Sequence, residues 1–379
     1  MSRLFEESSM NGMILRNRFV RAATWEGLAT PGGEATPKLV EKMALLAQGG
    51  VGLIISSHTY VSPEGQGTPR QLGIHKDELI AKLRDLPSAV HKNGGKMVLQ
   101  LAHAGHFAET ELTGQPALVV SDFENLSRGP RKEITSLDIQ NLVCAYAQAA
   151  RRAKAAGYDG VEIHSAHGYL LSQFLSPAFN KRQDEYGGSI ENRTRIHLLI
   201  YQAIRKLVGR DYPVLIKMNG SDLIENGITL GDSLQAAQFF SQAGFDAIEL
   251  SGGIIRAGKL APSRPGIKRK DQEAYFRGYA RKFKKEMTTP LILVGGLRSF
   301  EVADGLIEDG IADYISMSRP FIREPDLVNR WKNGDRRRAA CKSDNLCFQP
   351  GFEGNGVYCV TQEMEENKTA DHPITSRFS

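Results

Sequence analysis

Two hydrophobic patterns alternate along this chain. Short runs of apolar, mostly β-branched residues are each followed by a longer segment in which apolar residues recur every three or four positions. The first pattern is typical of buried parallel strands and the second of amphipathic helices. The clearest predicted helices span residues 135–156, 190–208 and 232–243. Eight strands are predicted, at residues 18–23, 51–56, 97–101, 160–164, 214–218, 247–251, 291–294 and 314–317.

Turn residues indicate how these units connect. Glycines such as Gly157, Gly209 and Gly244 stand just before the next predicted strand, where the C-terminal cap of a helix favours glycine. No G-x-G-x-x-G turn follows the first strand, which disfavours an open dinucleotide-binding sheet, and eight strand–helix units favour closure. The sequence therefore predicts an α/β protein: a single-domain (β/α)8 TIM barrel over residues 1–335, with a C-terminal extension over residues 336–379.

Three predicted connections are long, at residues 102–134, 165–189 and 252–267. Each follows the C-terminal end of a strand. Barrels of this kind carry their chemistry at that end. We therefore expect loop insertions at the C-terminal face to surround the active site.

Composition narrows the class of protein. The 379 residues are 41% hydrophobic and carry a formal net charge of +5, which is small for a nucleic-acid-binding protein. Two basic clusters, at residues 268–285 and 330–342, are interpreted as solvated helix faces rather than as sites for an anionic substrate tail or a cofactor phosphate. No apolar run approaches the roughly 20 residues that span a bilayer, residues 1–10 do not resemble a secretion signal, and four cysteines are few for a secreted protein. We expect a cytoplasmic protein that binds neither nucleic acid nor a membrane. Whether it forms a homo-oligomer is left open.

Candidate catalytic groups follow the fourth predicted strand. His164 and His167 can both direct N–H donors at one carbonyl or anionic oxygen, and Tyr169 can supply a proton from its phenol. Two structural histidines beside a core tyrosine are the alternative. The cluster at the expected active face favours function. A zinc site is disfavoured because a nearby third ligand is missing.

The segment that carries these groups resembles the Old Yellow Enzyme family. It reads H-x-A-H-G-Y-L-x-x-x-F-L-S-P from His164, and is followed by a second matching stretch at residues 180–195. Residues 15–20, 50–54, 95–105 and 318–320 are also similar to family motifs. The likeness covers residues 4–335 in the right order, so chance agreement is remote.

The resemblance implies an FMN barrel and assigns roles to these residues. Ala23 and Thr24 would meet the flavin through backbone atoms, and Gln100 would hydrogen-bond its pyrimidine ring. His164 and His167 would bind the oxygen of the substrate, or the nicotinamide amide when NADH or NADPH occupies the same place, and Tyr169 would donate the proton. This division is chemically sensible because charge develops on that oxygen during hydride addition.

The FMN phosphate is expected at the loops after the seventh and eighth strands, as in many barrels. Glycine backbone N–H groups and an arginine fork suit a phosphate there. A glycine turn with a surface ion pair is the alternative. The expected phosphate wall comprises Val294, Gly295, Gly296, Ser318 and Arg319, with Ser251 and Gly252 after the sixth strand.

Three positions beside the expected flavin depart from the family pattern. Lys217 stands where relatives usually have an arginine, so it would stabilise reduced flavin as a point charge without the fork geometry. Trp25 replaces a smaller residue that tunes the cofactor, and either offers an indole donor or packs at the barrel mouth. His58 stands where a small residue is common. We expect an altered flavin potential.

Cys341, Cys347 and Cys359 resemble the iron–sulfur region of the 2,4-dienoyl-CoA reductase and trimethylamine dehydrogenase branch of the family. Asp344 stands where a fourth cysteine is expected, and four ligands are the norm for such clusters. The three cysteines are weak candidates for metal ligands. We interpret the region as vestigial and expect no iron–sulfur cluster.

Together these features predict an FMN-dependent NAD(P)H oxidoreductase that reduces the activated C=C bond of a small enone-type substrate in a ping-pong cycle. One alternative is an oxidative N-demethylase or a dienoyl-CoA-reductase-like enzyme. Another is an electron-transfer flavoprotein subunit without catalysis of its own.

Overall fold

A ring of eight parallel strands forms the centre of this computed structural model, which describes residues 2–123 and 129–371. The strands lie at the eight predicted places, and the first two are shorter than predicted. They are β1 (Phe19–Arg21), β2 (Leu53–Ile55), β3 (Lys96–Ala102), β4 (Gly160–Ser165), β5 (Val214–Asn219), β6 (Ala247–Ser251), β7 (Leu291–Val294) and β8 (Tyr314–Met317).

The ring is closed. Each strand pairs in parallel with its sequence neighbour, β8 pairs with β1 through Ile315 and Phe19, and β2 pairs with β3 through Leu53 and Lys96. A two-residue strand, Thr59–Tyr60, adds to the far end of β3. The predicted TIM barrel is therefore confirmed.

A helix follows every barrel strand and covers its outer face. Several helices begin at a side-chain cap: Thr36, Thr135, Ser189 and Thr229 each accept a backbone N–H of the first turn, which satisfies a donor that the helix leaves unpaired. The helices are α1 (Pro37–Gln48), α2 (Asp85–Lys92), α3 (Ser136–Ala155), α4 (Ile190–Val208), α5 (Leu230–Ala243), α6 (Arg277–Glu286), α7 (Phe300–Glu308) and α8 (Leu327–Lys332).

An N-terminal hairpin closes one end of the barrel. Its strands, Ser8–Met10 and Met13–Leu15, pair antiparallel and bury Met10, Met13 and Leu15. These side chains pack against inward-facing residues near the strand starts, including Val20. Because this end is filled with apolar side chains, the opposite end is left for a site.

Long connections gather at that opposite, C-terminal face. The three predicted loops lie there, and a further long connection, residues 56–78, joins them; residues 124–128 of the first predicted loop fall outside the described residues. A short parallel pair, Ala117–Val119 and Arg131–Glu133, stiffens this first loop. The C-terminal extension ends in a 12-residue helix, Val360–Asp371. The remaining short elements are Arg3–Phe5, Pro63–Gly65, Leu79–Leu83, Gly105–Phe107, Thr110–Thr113, Leu170–Leu175, Ile255–Leu260, Lys270–Gln272, Arg319–Arg323, Leu346–Phe348 and Gln349–Phe352.

The C-terminal extension packs on the loop that follows β1. The backbone N–H of Val357 donates to the Glu26 carbonyl at 2.9 Å. Gly27 and Gly351 touch through their backbones, since a Cβ on Gly27 would lie 3.0 Å from the Gly351 Cα.

Both basic clusters carry ion pairs, such as Lys284 with Asp313 at 2.8 Å. Within residues 2–123 and 129–371, no helix is long and apolar enough to cross a membrane.

Candidate active site

A cavity of about 500 Å³ opens at the C-terminal ends of the barrel strands. Gly252 alone among the predicted catalytic and cofactor residues lies outside its lining; a Cβ there would come 2.7 Å from the Phe276 ring, so Gly252 serves close packing. The predicted residues that line the cavity are Ala23, Thr24, Trp25, His58, Gln100, His164, His167, Tyr169, Lys217, Ser251, Val294, Gly295, Gly296, Ser318 and Arg319.

His164, His167 and Tyr169 converge at one side of this cavity. The His164 ring centroid lies 4.6 Å from that of Tyr169 and 5.4 Å from that of His167. His167 Nε2 is 2.8 Å from the Ser251 Oγ. His164 Nδ1 is buried and has no hydrogen-bond partner among the described residues. An unpartnered buried nitrogen costs free energy, so it suits a ligand that supplies the missing partner.

A tight turn after β4 produces this arrangement. His167 and Gly168 both adopt positive φ, at 65° and 90°. The Gln173 amide donates to the Gly168 carbonyl at 2.8 Å, and the Asn219 side chain accepts the His167 N–H at 3.3 Å. A left-handed conformation is uncommon for histidine and is retained where the surroundings hold it. The turn therefore orients the His167 ring and leads into the short helix that begins after Tyr169.

Burial sets the protonation of these groups. It lowers the pKa of His164 well below its usual value, with smaller contributions from His167 and Lys217, and it lowers the pKa of His167 in the same way. Burial also raises the pKa of Tyr169 to about 12. At neutral pH both imidazoles are therefore uncharged donors, and the phenol keeps its proton.

Below the cavity, the barrel interior holds two acidic residues that sequence reasoning missed. Glu162 accepts a hydrogen bond from the Gln100 amide at 2.6 Å, and Glu249 lies 2.8 Å from the Lys217 ammonium. The Ser316 hydroxyl donates to Glu249 at 2.6 Å. Each carboxylate interrupts an apolar strand, which is a signal that could have identified both.

Gly295 and Gly296 line another wall of the cavity and pack closely against an aromatic side chain. Both have positive φ, and a Cβ on Gly296 would come 2.6 Å from the Tyr275 ring. Arg319 lines the same wall and donates to the Asn345 side chain at 2.6 Å. Arg298, which was not predicted, also lines it. Glycine backbone N–H groups beside two guanidinium groups suit a phosphate.

The outer rim of the cavity is apolar and comes partly from the C-terminal extension. Phe348 and Phe352 line it, and the Phe352 ring centroid lies 4.5 Å from that of Trp25. The Trp25 indole N–H donates to the Pro69 carbonyl at 3.1 Å, so this donor is already used and the residue acts by packing. Ile255, on the loop after β6, faces the rim and is 56% exposed.

The three cysteines of the extension do not gather into a metal site. In the described parts of the chain, no three His, Cys, Asp or Glu side chains lie close enough to hold a metal ion. The Asp344 carboxylate accepts hydrogen bonds from the Thr361 hydroxyl and the Leu346 N–H. Cys359 Sγ accepts from Arg323 at 3.9 Å. The absence of an iron–sulfur cluster stays a prediction.

The buried histidines make the fold sensitive to acid. Burial lowers the pKa values of His58 and His197 from 6.5 to about 4, and lowers those of His164 and His167 as well. Below pH 6.5 these histidines bind protons in the unfolded chain but stay neutral in the folded protein. The free energy of unfolding therefore falls as pH falls from 6.5 toward 4. Each histidine contributes about 1.4 kcal/mol per pH unit in that window.

We therefore expect a clearly lower urea midpoint at pH 5 than at pH 7. Urea titrations followed by circular dichroism at both pH values measure it. A His197→Asn variant should show a weaker dependence on pH. Equal midpoints for the wild-type protein at the two pH values would contradict the prediction.

Known proteins are similar to this chain in sequence and in fold. The NADH:flavin oxidoreductase / NADH oxidase family model matches residues 3–337. An NADH oxidase from Thermoanaerobacter brockii is 35% identical over 353 residues, which cover 90% of this chain and 53% of the oxidase. An NADPH dehydrogenase from Geobacillus sp. (strain WCH70) is 35% identical over 325 residues, which cover 85% of this chain and 91% of the dehydrogenase.

A solved structure supports the same relationship. An Old Yellow Enzyme homologue from Zymomonas mobilis matches with a TM-score of 0.75 and 25% identity, over 92% of this chain and 98% of the homologue. The chain spans about half the length of the NADH oxidase. Because the family model covers nearly the whole barrel, the chain belongs to the NADH:flavin oxidoreductase / NADH oxidase family, and its resemblance to Old Yellow Enzyme is confirmed.

Proposed function

We propose that the cavity binds FMN and that the protein uses it to reduce an activated C=C bond of an α,β-unsaturated carbonyl compound at the expense of NADH or NADPH. The observation that carries the proposal is the convergence of two neutral imidazoles and a protonated phenol inside the cavity. The names of the related NADH oxidase and NADPH dehydrogenase support the choice of reductant.

The polar groups that line the cavity support FMN as the bound cofactor. Gly295, Gly296 and Arg319 would hold the phosphate, because they line the cavity together and supply backbone N–H groups and a guanidinium. Gln100 and Lys217 would face the pyrimidine edge of the ring from the cavity floor. When bound, FMN would supply hydride transfer between the nicotinamide and the substrate carbon.

The chain's own residues would control the substrate. His164 and His167 would donate N–H groups to its carbonyl oxygen, where negative charge develops when hydride reaches the β-carbon. Tyr169 would then protonate the α-carbon, and its raised pKa keeps the proton in place until that step. Phe348 and Phe352 would exclude water from the reacting end by closing the rim.

The experiment that tests this function uses the colour of the purified protein. We expect the purified protein to be yellow. In the absence of oxygen, NADH or NADPH should bleach it, and an enone such as cyclohexenone should then restore the colour. Spectra recorded in anaerobic stopped flow measure both steps. One similar protein is named N,N-dimethylglycine/sarcosine dehydrogenase. Dimethylglycine is therefore tested as the substrate of the alternative reaction, oxidative demethylation.

Two outcomes would contradict the proposal. Bleaching by dimethylglycine without any nicotinamide would favour oxidative demethylation. Bleaching by NAD(P)H followed by no recovery with any enone or nitro compound would favour an electron-transfer role.

A further inference from the structure

Five side chains form a polar layer inside the barrel, directly beneath the cavity. This floor cluster has almost no solvent exposure, at 4% for Lys217 and 2% or less for the others. Gln100, Lys217 and Ser316 line the cavity, and the two glutamates lie deeper. The cluster consists of Gln100, Glu162, Lys217, Glu249 and Ser316.

Each carboxylate of the cluster contacts a neighbouring polar side chain. Glu249 uses one oxygen for the Ser316 hydroxyl at 2.6 Å and the other for the Lys217 ammonium at 2.8 Å. Glu162 uses Oε1 for the Gln100 amide at 2.6 Å. Glu162 Oε2 has no donor among the described residues. Glu162 on β4 and Glu249 on β6 flank the strand that carries Lys217, and the charge of Glu249 acts on Glu162.

Two facing carboxyl groups in a dry interior cannot both stay ionised beside a single cation. Two carboxylates and one ammonium would leave a net negative charge in a region of low dielectric, and Glu162 Oε2 would remain unpaired. One proton between the carboxyls removes both costs, because it cancels the excess charge and supplies the missing hydrogen bond. Burial and the neighbouring Glu249 raise the pKa of Glu162, which agrees with this count.

We propose that Glu162 and Glu249 share one proton, so that the floor cluster is electrically neutral and Glu249 offsets the charge of Lys217 beneath the ring site. Glu249 does not line the cavity and acts through Lys217, so it is a positioning residue. The consequence for flavin rests on the proposed function, whereas the shared proton does not. An unpaired Lys217 ammonium would favour the reduced flavin strongly. The neighbouring Glu249 carboxylate limits that effect.

The shared proton is tested by infrared spectroscopy of the purified protein, with and without FMN. A protonated carboxyl gives a C=O stretching band that shifts in heavy water, and Glu162→Gln is expected to remove one such band. Burial also raises the pKa of Asp222, so the Asp222→Asn variant identifies its separate band. If Glu162→Gln removes no band while melting like the wild-type protein, the proposal is overturned.

The charge balance is tested by the midpoint potential of the bound flavin, measured by dye-coupled reduction. Glu162→Gln exchanges one neutral group for another, so the potential is expected to stay at the wild-type value. The double variant Glu162→Gln plus Glu249→Gln leaves Lys217 unpaired. It should favour reduced flavin by about tenfold or more, an upward shift of at least ~30 mV for a two-electron couple.

The outcomes separate the two proposals. An equal upward shift in Glu162→Gln and in the double variant would show that Glu162 is ionised in the wild-type protein, which overturns the inference. A third outcome is that the wild-type protein binds no FMN while Glu162→Gln still removes the infrared band. That result would support the shared proton and contradict only the proposed function.

Discussion

Replacing Tyr169 by phenylalanine is expected to slow recovery of the oxidised flavin colour with an enone by about 10²–10⁴-fold, the usual contribution of a positioned general acid. The α-carbon would lose its proton donor while the ring remains in place. The ring packs 5.5 Å from Phe107 and 4.6 Å from His164, centroid to centroid, and phenylalanine preserves both contacts. Reduction by NAD(P)H needs no proton from this group, so its rate should stay near that of the wild-type protein.

Anaerobic stopped flow measures the two half-reactions separately. Tyr146→Phe is the matched control, because the Tyr146 hydroxyl is buried without a partner among the described residues and lies on α3, outside the cavity lining. It should change neither rate. An equal loss in both half-reactions of Tyr169→Phe would rule out the acid role.

Replacing His164 and His167 together by alanine is expected to weaken phenol binding by about 10²–10⁴-fold. Each imidazole would contribute one hydrogen bond to a charged oxygen, and such bonds contribute roughly 1.5–3 kcal/mol. Both rings are uncharged at neutral pH, so the loss should be nearly independent of pH from 6.5 to 8. The long-wavelength charge-transfer band of bound phenols reports the affinity.

A matched variant separates this effect from general loss of structure. His75→Ala removes a histidine that stacks on Tyr60 and does not line the cavity, so phenol affinity should be unchanged. A double variant that keeps its flavin and retains a wild-type charge-transfer band would show that the histidines do not bind the oxygen.

Much of the fold could be predicted because parallel strands are buried on both faces. Such strands read as continuous apolar runs, and the glycines that cap the preceding helices mark where each run begins. β5, β6, β7 and β8 begin at the predicted residues. The site followed from the same pattern, since a closed barrel brings the C-terminal ends of all its strands to one face.

Contacts made by irregular segments were not predictable in this way. The N-terminal hairpin carries too few residues for a clear period, yet Met10, Met13 and Leu15 fill the closed end of the barrel. Nothing in the sequence pattern indicated that the extension reaches the cavity, which Phe348 and Phe352 line. Trp25 offered either a donor or bulk, and only its contact with the Pro69 carbonyl shows that the donor is occupied.

The amino-acid sequence by itself determined the eight strand–helix units, the open end that carries the site and the histidine–tyrosine group, because these depend on local periodicity and on residues close together in the chain. Only the tertiary structure decided that Glu162 of β4 meets Glu249 of β6 beside Lys217 of β5. That meeting depends on the stagger with which strands close around the barrel axis. The protonation of a buried carboxyl then depends on neighbours that are far away in sequence.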